Sequence, residues 1–140
     1  GMMICKTYPF GSLKQYKYAL VLSEYQGKIL LSRHKARSTW ETQGGHIEPG
    51  EQPLDAAKRE LFEESGAVDF TLTPLCDCRA GEEGADGWDN GIAYRAVIRE
   101  LGPLPESEMA EVRQFDALPE NLTYPAIVFS LFQALQKADF

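Results

Sequence analysis

Residues 45–67 read Gly-His-Ile-Glu-Pro-Gly-Glu-Gln-Pro-Leu-Asp-Ala-Ala-Lys-Arg-Glu-Leu-Phe-Glu-Glu-Ser-Gly-Ala. Gly45, Glu51, Arg59, Glu60, Glu63, Glu64 and Gly66 fall at the spacing G-x5-E-x7-R-E-U-x-E-E-x-G-U, where U is apolar or small. Pro53 suits a first helical turn, because its missing N–H would be unpaired there anyway and its φ is already helical. Good helix formers follow to Ser65, and Gly66 is a natural C-terminal stop. At about 100° per residue, Leu54, Ala57 and Leu61 share a stripe expected to face the core. Glu60, Glu63 and Glu64 stand at i, i+3 and i+4, so three carboxylates crowd one neighbouring turn. Their mutual repulsion gains the helix nothing structural. A hard divalent cation, which takes carboxylate oxygens together with substrate phosphates, reverses that balance. A solvated acidic helix face is the alternative. Gln43-Gly44-Gly45, read as a turn that lets backbone carbonyls approach a metal, and Arg59 beside Glu60 favour the metal site.

Around this segment the chain is ordinary in size. Its 140 residues suffice for one domain with a real core, and 44% hydrophobic with 25% charged residues is typical of soluble globular proteins. A formal net charge of −7 argues against coating nucleic acid or lying on a membrane surface. No apolar run reaches a membrane span, no signal peptide is seen, and Gly1 before Met2 looks like a cloning scar. Cys5, Cys76 and Cys78 are too few and wrongly spaced for a zinc site and odd in number for a disulfide framework. They fit thiols in a reducing cytoplasm, with Cys76 and Cys78 on one face of a strand.

Tyr18–Ser23 and Ile29–Ser32 read as a β-hairpin turning near Gln26-Gly27. Residues 68–79 form a strand with a break at Pro74. The glycine-rich acidic stretch 81–91 reads as a long loop, 92–100 as a returning strand, and 111–115 as a short one. Ile127, Val128, Leu131, Phe132 and Leu135 have the spacing of an amphipathic helix over 124–138. Strands around a central helix, with a second helix at the end, point to an α/β fold whose mixed sheet is covered on both faces. No repeat, linker or low-complexity stretch interrupts it, so residues 1–140 are expected to form a single domain.

The quoted spacing is the Nudix box, and the whole chain resembles a compact MutT-like Nudix hydrolase. The resemblance implies an α/β/α sandwich with a central mixed sheet and a catalytic loop-helix-loop. It implies cleavage of a diphosphate bond in a nucleoside diphosphate-linked substrate, with Mg²⁺ or Mn²⁺. Carried over by position, the metal is held by the Gly44 carbonyl and by Glu60, Glu63 and Glu64. Glu60 is also the general base, Arg59 orients it, and Glu51 braces Arg59. A further acidic ligand outside the box is best matched by Glu100, ahead of Glu108 and Glu111. The chain has Gln43-Gly44-Gly45 where the family often has Pro-Gly-Gly, which bears on the rigidity of that loop.

Arg33, His34, Lys35 and Arg37 form a basic cluster placed to clamp phosphate oxygens, and Trp88 or Tyr94 to stack on a base; His46 is assigned a role in loop structure. The expected substrate is a small-molecule nucleotide, foremost a nucleoside triphosphate, oxidised or not, converted to the monophosphate and pyrophosphate. ADP-ribose, dinucleoside polyphosphates, nucleotide sugars and RNA 5′ ends stay open. So do a catalytically silent nucleotide sensor, which an intact box disfavours, and a prenyl diphosphate isomerase. The protein is expected to be a monomer or homodimer.

Overall fold

The computed structural model describes residues 2–138. Ten elements follow one another: β1 (Met3–Tyr8), β2 (Tyr18–Tyr25), β3 (Lys28–His34), β4 (Trp40–Glu41), β5 (Gln43–His46), α1 (Pro53–Ser65), β6 (Ala67–Glu82), β7 (Asp89–Leu101), β8 (Met109–Phe115) and α2 (Pro125–Lys137). The eight strands make one sheet in the order β1-β6-β7-β2-β3-β4, with β5 also on β2 and β8 also on β3. Only β2 and β7 run parallel among the paired named strands. The sheet is therefore mixed, with α1 on one face and α2 on the other. This is the expected α/β/α sandwich.

The hairpin turns where the sequence indicates, with Gln26 and Gly27 at φ +54° and +78°, the paired left-handed residues that a tight two-residue β-turn requires. Beneath α1 lie Ala19, Val21, Leu30, Ile92, Tyr94, Ala96 and Ile98, capped by Ala56, Ala57 and Leu61 of the helix. Beneath α2, Leu22, Cys76 and Ala93 meet Leu131, while Leu31, Trp40 and Leu122 meet Val128. Alternation along β7 explains the division: Ile92, Tyr94, Ala96 and Ile98 point to one face and Ala93 to the other.

Several local expectations need correction. Gln43-Gly44-Gly45 is not a turn but the body of β5, whose register on β2 pairs Leu20 with Gly44 and Ala19 with Gly45. Strands β6 and β7 extend to Glu82 and back to Asp89, so the acidic loop shrinks to a hairpin end over 83–88. Leu54 is 40% exposed, because the buried stripe of α1 runs instead through Ala56, Ala57, Leu61 and Ser65. It lies in the first turn, at the edge of that stripe.

Between β2 and β3 the sheet forks. Strand β2 pairs with β3 only over Ser23–Tyr25 and with β5 over Tyr18–Val21. Gln43 sits fully buried at the fork. Its Nε2 donates to the Leu30 carbonyl (3.2 Å) and Ser32 Oγ (2.9 Å), and its Oε1 accepts from Ser23 Oγ (2.7 Å). The side-chain amide thus supplies the partners that the parting strands no longer give each other.

Candidate active site

Helix α1 begins on Pro53 and ends on Gly66, whose φ of +82° lets its N–H reach the Phe62 carbonyl. Small residues at Ala56 and Ala57 let the helix lie close over the sheet, and its buried face carries Glu60 and Glu64 toward β5. The approach is tight. A Cβ on Gly45 would stand 2.7 Å from the Glu60 carboxylate, and one on Gly44, at φ +151°, 2.5 Å from the Ala19 carbonyl. A side chain at Gly45 would displace the Glu60 carboxylate, and one at Gly44 would force β5 away from β2.

Arg59 organises the box. Its Nε and Nη2 donate to the two oxygens of Glu51 at 2.8 and 2.9 Å, a forked pair. Its Nη1 donates to Glu60 Oε1 at 2.6 Å and lies 3.7 Å from Glu63, and Nη2 also reaches the His46 carbonyl at 3.2 Å. Glu51 in turn accepts from the Glu48 N–H at 3.0 Å, which ties the loop before the helix to the same arginine. His46 thus lends its backbone to the loop.

The electrostatics follow from these contacts. Hydrogen bonds from Arg59, helped by the Glu48 backbone, hold the Glu51 carboxyl down at about 2. Burial raises Glu60, reinforced by the charges of Glu63 and Glu51 and opposed by Arg59. Burial pushes Glu64 up to about 8, with Glu60, Glu41 and Glu108 adding to the rise and the Gly44 N–H bond at 2.8 Å opposing it. Glu64, desolvated beside other carboxylates and partnered by a backbone N–H rather than a cation, is in the environment that a hard cation relieves. Among the described residues no three His, Cys, Asp or Glu side chains converge as the ligands of one ion. One oxygen of Glu60 is taken by Arg59 and one of Glu64 by the Gly44 N–H. The donor set itself, all carboxylate oxygen, suits Mg²⁺ or Mn²⁺.

Two adjoining hollows share this wall. The first is lined by Glu60, Glu63, Glu64, Glu106, Ser107 and Glu108. The second, about 360 Å³, runs from Glu64, Glu108, Gly44 and Gly45 to His34, Arg37, Glu41 and Tyr124. Glu64 and Glu108 belong to both. The acidic residues brought beside the box are thus Glu106 and Glu108, not the expected Glu100. Glu100 is exposed on β7 opposite Asp69 and lines neither hollow.

The remaining expected residues divide. Arg37 lines the cleft, bonding Glu41 at 3.3 Å and lying 5.9 Å from the Tyr124 ring centre. Arg33 and Lys35 are occupied elsewhere, by Glu111 at 3.0 Å and Glu106 at 2.9 Å. His34 lines the cleft, its Nε2 3.6 Å from Glu108. Trp88 packs over Gly81 at the hairpin end, its Nε1 on the Glu82 carbonyl, and Tyr94 is buried under α1 edge-on to Phe10. Neither lines the cleft, so the base-stacking expectation for both is withdrawn. The strand parity of Tyr94 placed it on the α1 face, whereas the cleft opens on the α2 side of β2 at Tyr18 and Leu20. Glu41 and Tyr124 belong to no motif in the sequence, although Glu41 stands only three positions before Gly44.

Comparison with known proteins agrees with this geometry. A stretch of 52 residues is 42% identical to a Bacillus subtilis (strain 168) protein assigned as an 8-oxo-dGTP diphosphatase, covering 37% of this chain and 34% of that protein. Another of 47 residues is 40% identical to an RNA pyrophosphohydrolase of Psychrobacter sp. (strain PRwf-1), covering 34% of this chain and 27% of that one. The chain thus matches about a third or less of these relatives' length. A crystal structure of a Bacillus subtilis pyrophosphohydrolase superposes with a TM-score of 0.80 over 96% of this chain and 90% of that one; at 24% identity the likeness concerns the fold. The NUDIX domain model matches residues 14–125, from before β2 to the start of α2. With the box folded as loop, helix and loop against the sheet, the chain belongs to the Nudix family, whose members generally use divalent metal ions.

Proposed function

We propose that this Nudix hydrolase converts a nucleoside triphosphate to the monophosphate and pyrophosphate with Mg²⁺ or Mn²⁺. The observation that carries this is a single cleft that joins the box carboxylates to a pocket of nucleoside size at Arg37, Glu41 and Tyr124. Glu60, Glu63, Glu64 and Glu108 are the residues to hold the ion, with the Gly44 carbonyl beside them. The bound ion would supply Lewis-acid charge and acidify a water.

Glu60 serves as the base. Arg59 occupies its Oε1, which orients the side chain and leaves Oε2 to accept a proton. Burial raises this carboxyl's proton affinity toward what a base working near neutrality needs. Water adds to an internal phosphorus, its proton passes to Glu60, and the bond to the bridging oxygen breaks in line. Glu51 acts at one remove, since its forked pair keeps Arg59 aimed. Arg37 contributes positive charge at the cleft wall, with the His34 imidazole beside Glu108. Three free cysteines fit a reducing compartment, so the reaction is placed in the cytoplasm, on small nucleotides, by a monomer or homodimer.

The test is a panel of nucleoside triphosphates with Mg²⁺ in ¹⁸O-labelled water, followed by phosphorus NMR. Monophosphate and pyrophosphate are expected, with the label in one of them. Release of inorganic phosphate from the γ position, turnover in excess chelator, or tight binding without products overturns the proposal.

A further inference from the structure

The cleft's far end holds a carboxylate that the hydrolysis does not use. Glu41 is 8% exposed overall, and it lines the same cleft as Glu64. Its one hydrogen bond among the described residues is from Arg37 Nη1 to Oε2 at 3.3 Å, so Oε1 accepts none. The same cleft is lined by the ring of Tyr124 and the apolar side chains of Met109, Ile127 and Leu20, with His34, Arg37 and Thr42 among its polar residues. Tyr124 is 39% exposed, with the Arg37 guanidinium over its ring at 5.9 Å. A cleft that sets aromatic and aliphatic side chains beside a few polar groups suits a flat heterocycle with polar edges.

A carboxylate only accepts hydrogen bonds, through two parallel oxygens. It therefore selects a base edge with two adjacent N–H donors. Guanine has such an edge, its ring N1–H beside its 2-amino group, and 8-oxoguanine keeps it. Adenine and cytosine set an amino donor beside a ring-nitrogen acceptor, which would face an oxygen lone pair to lone pair. Uracil and thymine flank one N–H with two carbonyls. Arg37, already bonded to Oε2, leaves that oxygen's second lone pair for the base and keeps the carboxylate from swinging out of the cleft.

We propose that Glu41 reads the base and makes this enzyme selective for guanine nucleotides; the inference rests on the diphosphohydrolase function above. The experiment has two independent arms. Binding of GMP, AMP, CMP and UMP is measured by titration calorimetry without metal, and kcat/KM is measured for the ribo- and deoxyribonucleoside triphosphates with Mg²⁺. The wild-type protein should favour guanine by roughly 10²-fold or more in both arms, since a wrong base leaves the buried carboxylate unpaired. Glu41→Gln, which pairs an acceptor with a donor, should cut that preference to within about tenfold and raise adenine and cytosine relative to guanine. Glu41→Asp, which withdraws the carboxylate by one methylene, should weaken guanine without helping adenine and stands in if the glutamine variant does not fold.

Equal use of all four bases, an equal loss for all of them in Glu41→Gln, or an effect that follows the ribose 2′-hydroxyl overturns the assignment while leaving hydrolysis intact. Selective GMP binding that Glu41→Gln abolishes, with no triphosphate cleaved, upholds Glu41 and overturns the hydrolase function. Absence of both binding and cleavage overturns both.

Discussion

Helices α1 and α2 are each thirteen residues long, each starts on proline, and neither has a side-chain N-cap bond. They cover opposite faces of one sheet, yet they are built differently. The buried face of α2 is aliphatic, with Val128 and Leu131 fully enclosed and Ile127, Phe132 and Leu135 packed beside them. The buried face of α1 offers Ala56, Ala57, Leu61 and Ser65, and the half-buried Glu60 and Glu64 flank it. Apolar area is the main source of folding free energy, and α1 contributes little of it. What α1 gains from small residues is closeness to β5, and that closeness puts carboxylates where water is scarce. One helix anchors, the other reacts.

The contrast breaks most sharply at Glu60. Glu60→Gln should lower kcat by roughly 10²-fold or more while leaving the melting temperature unchanged or higher, because it removes a base and also a like-charge repulsion. Glu51→Gln should cost less, about tenfold, since its carboxylate acts through Arg59. A folded Glu51 variant more damaged than the Glu60 variant would reverse these roles. Steady-state kinetics beside thermal melts decide it.

On the other helix the prediction is the converse. Leu131→Ala empties a fully buried site and should cost about 2–5 kcal/mol in denaturant unfolding. The kcat per folded molecule should stay near that of the wild type. A large catalytic loss without loss of stability would show that α2 is more than an anchor.

A pH series sharpens the α1 side. Glu64 has its folded-state carboxyl raised to about 8 from an ordinary 4.5. A raised acid contributes stability that is fully present below the ordinary value and is lost as pH climbs through the raised one. The metal-free protein should therefore melt progressively lower from about pH 5 to pH 8. Glu64→Gln should flatten that slope, and Mg²⁺ should too, by taking the proton's place. An unchanged slope in Glu64→Gln would deny that Glu64 is the group responsible. The smallest effect belongs to Leu54, exposed at the rim of α1, where Leu54→Gln should stay within about 0.5 kcal/mol.

Much of this was readable from residue order, and the exceptions share a cause. The box helix runs from Pro53 to Ser65 as its proline, its formers and Gly66 imply, because those signals are local. The hairpin at Gln26-Gly27 is local too. By contrast, β1, β4 and β5 are short or glycine-containing, and their strand character comes from β6, β3 and β2 across space. Tyr94 was misassigned to the substrate because strand alternation says that neighbours face opposite sides without saying which side holds the cleft. Glu106 and Glu108 lie beside the box, where Glu100 does not, for a related reason: the chain after β7 folds back over it, with Glu106 on Lys35 and Glu108 near His34. No pattern within 101–108 encodes that return.

The fork at Gln43 has a mechanical consequence. Where β3 and β5 diverge from β2, the ladder of the sheet is interrupted, and its continuity passes through one amide side chain and two serine hydroxyls. Ser32 Oγ also donates to the Glu64 carbonyl at 2.8 Å, so the same seam is stitched to the last turn of the box helix. Amide hydrogens flanking the fork should exchange with solvent through openings smaller than global unfolding. Strand β5, together with α1, can then breathe against the hairpin while the long β6–β7 ladder stays closed. The glycines that bring backbone to carboxylate thus ride on a strand that, among the named strands, is paired to the sheet through β2 alone.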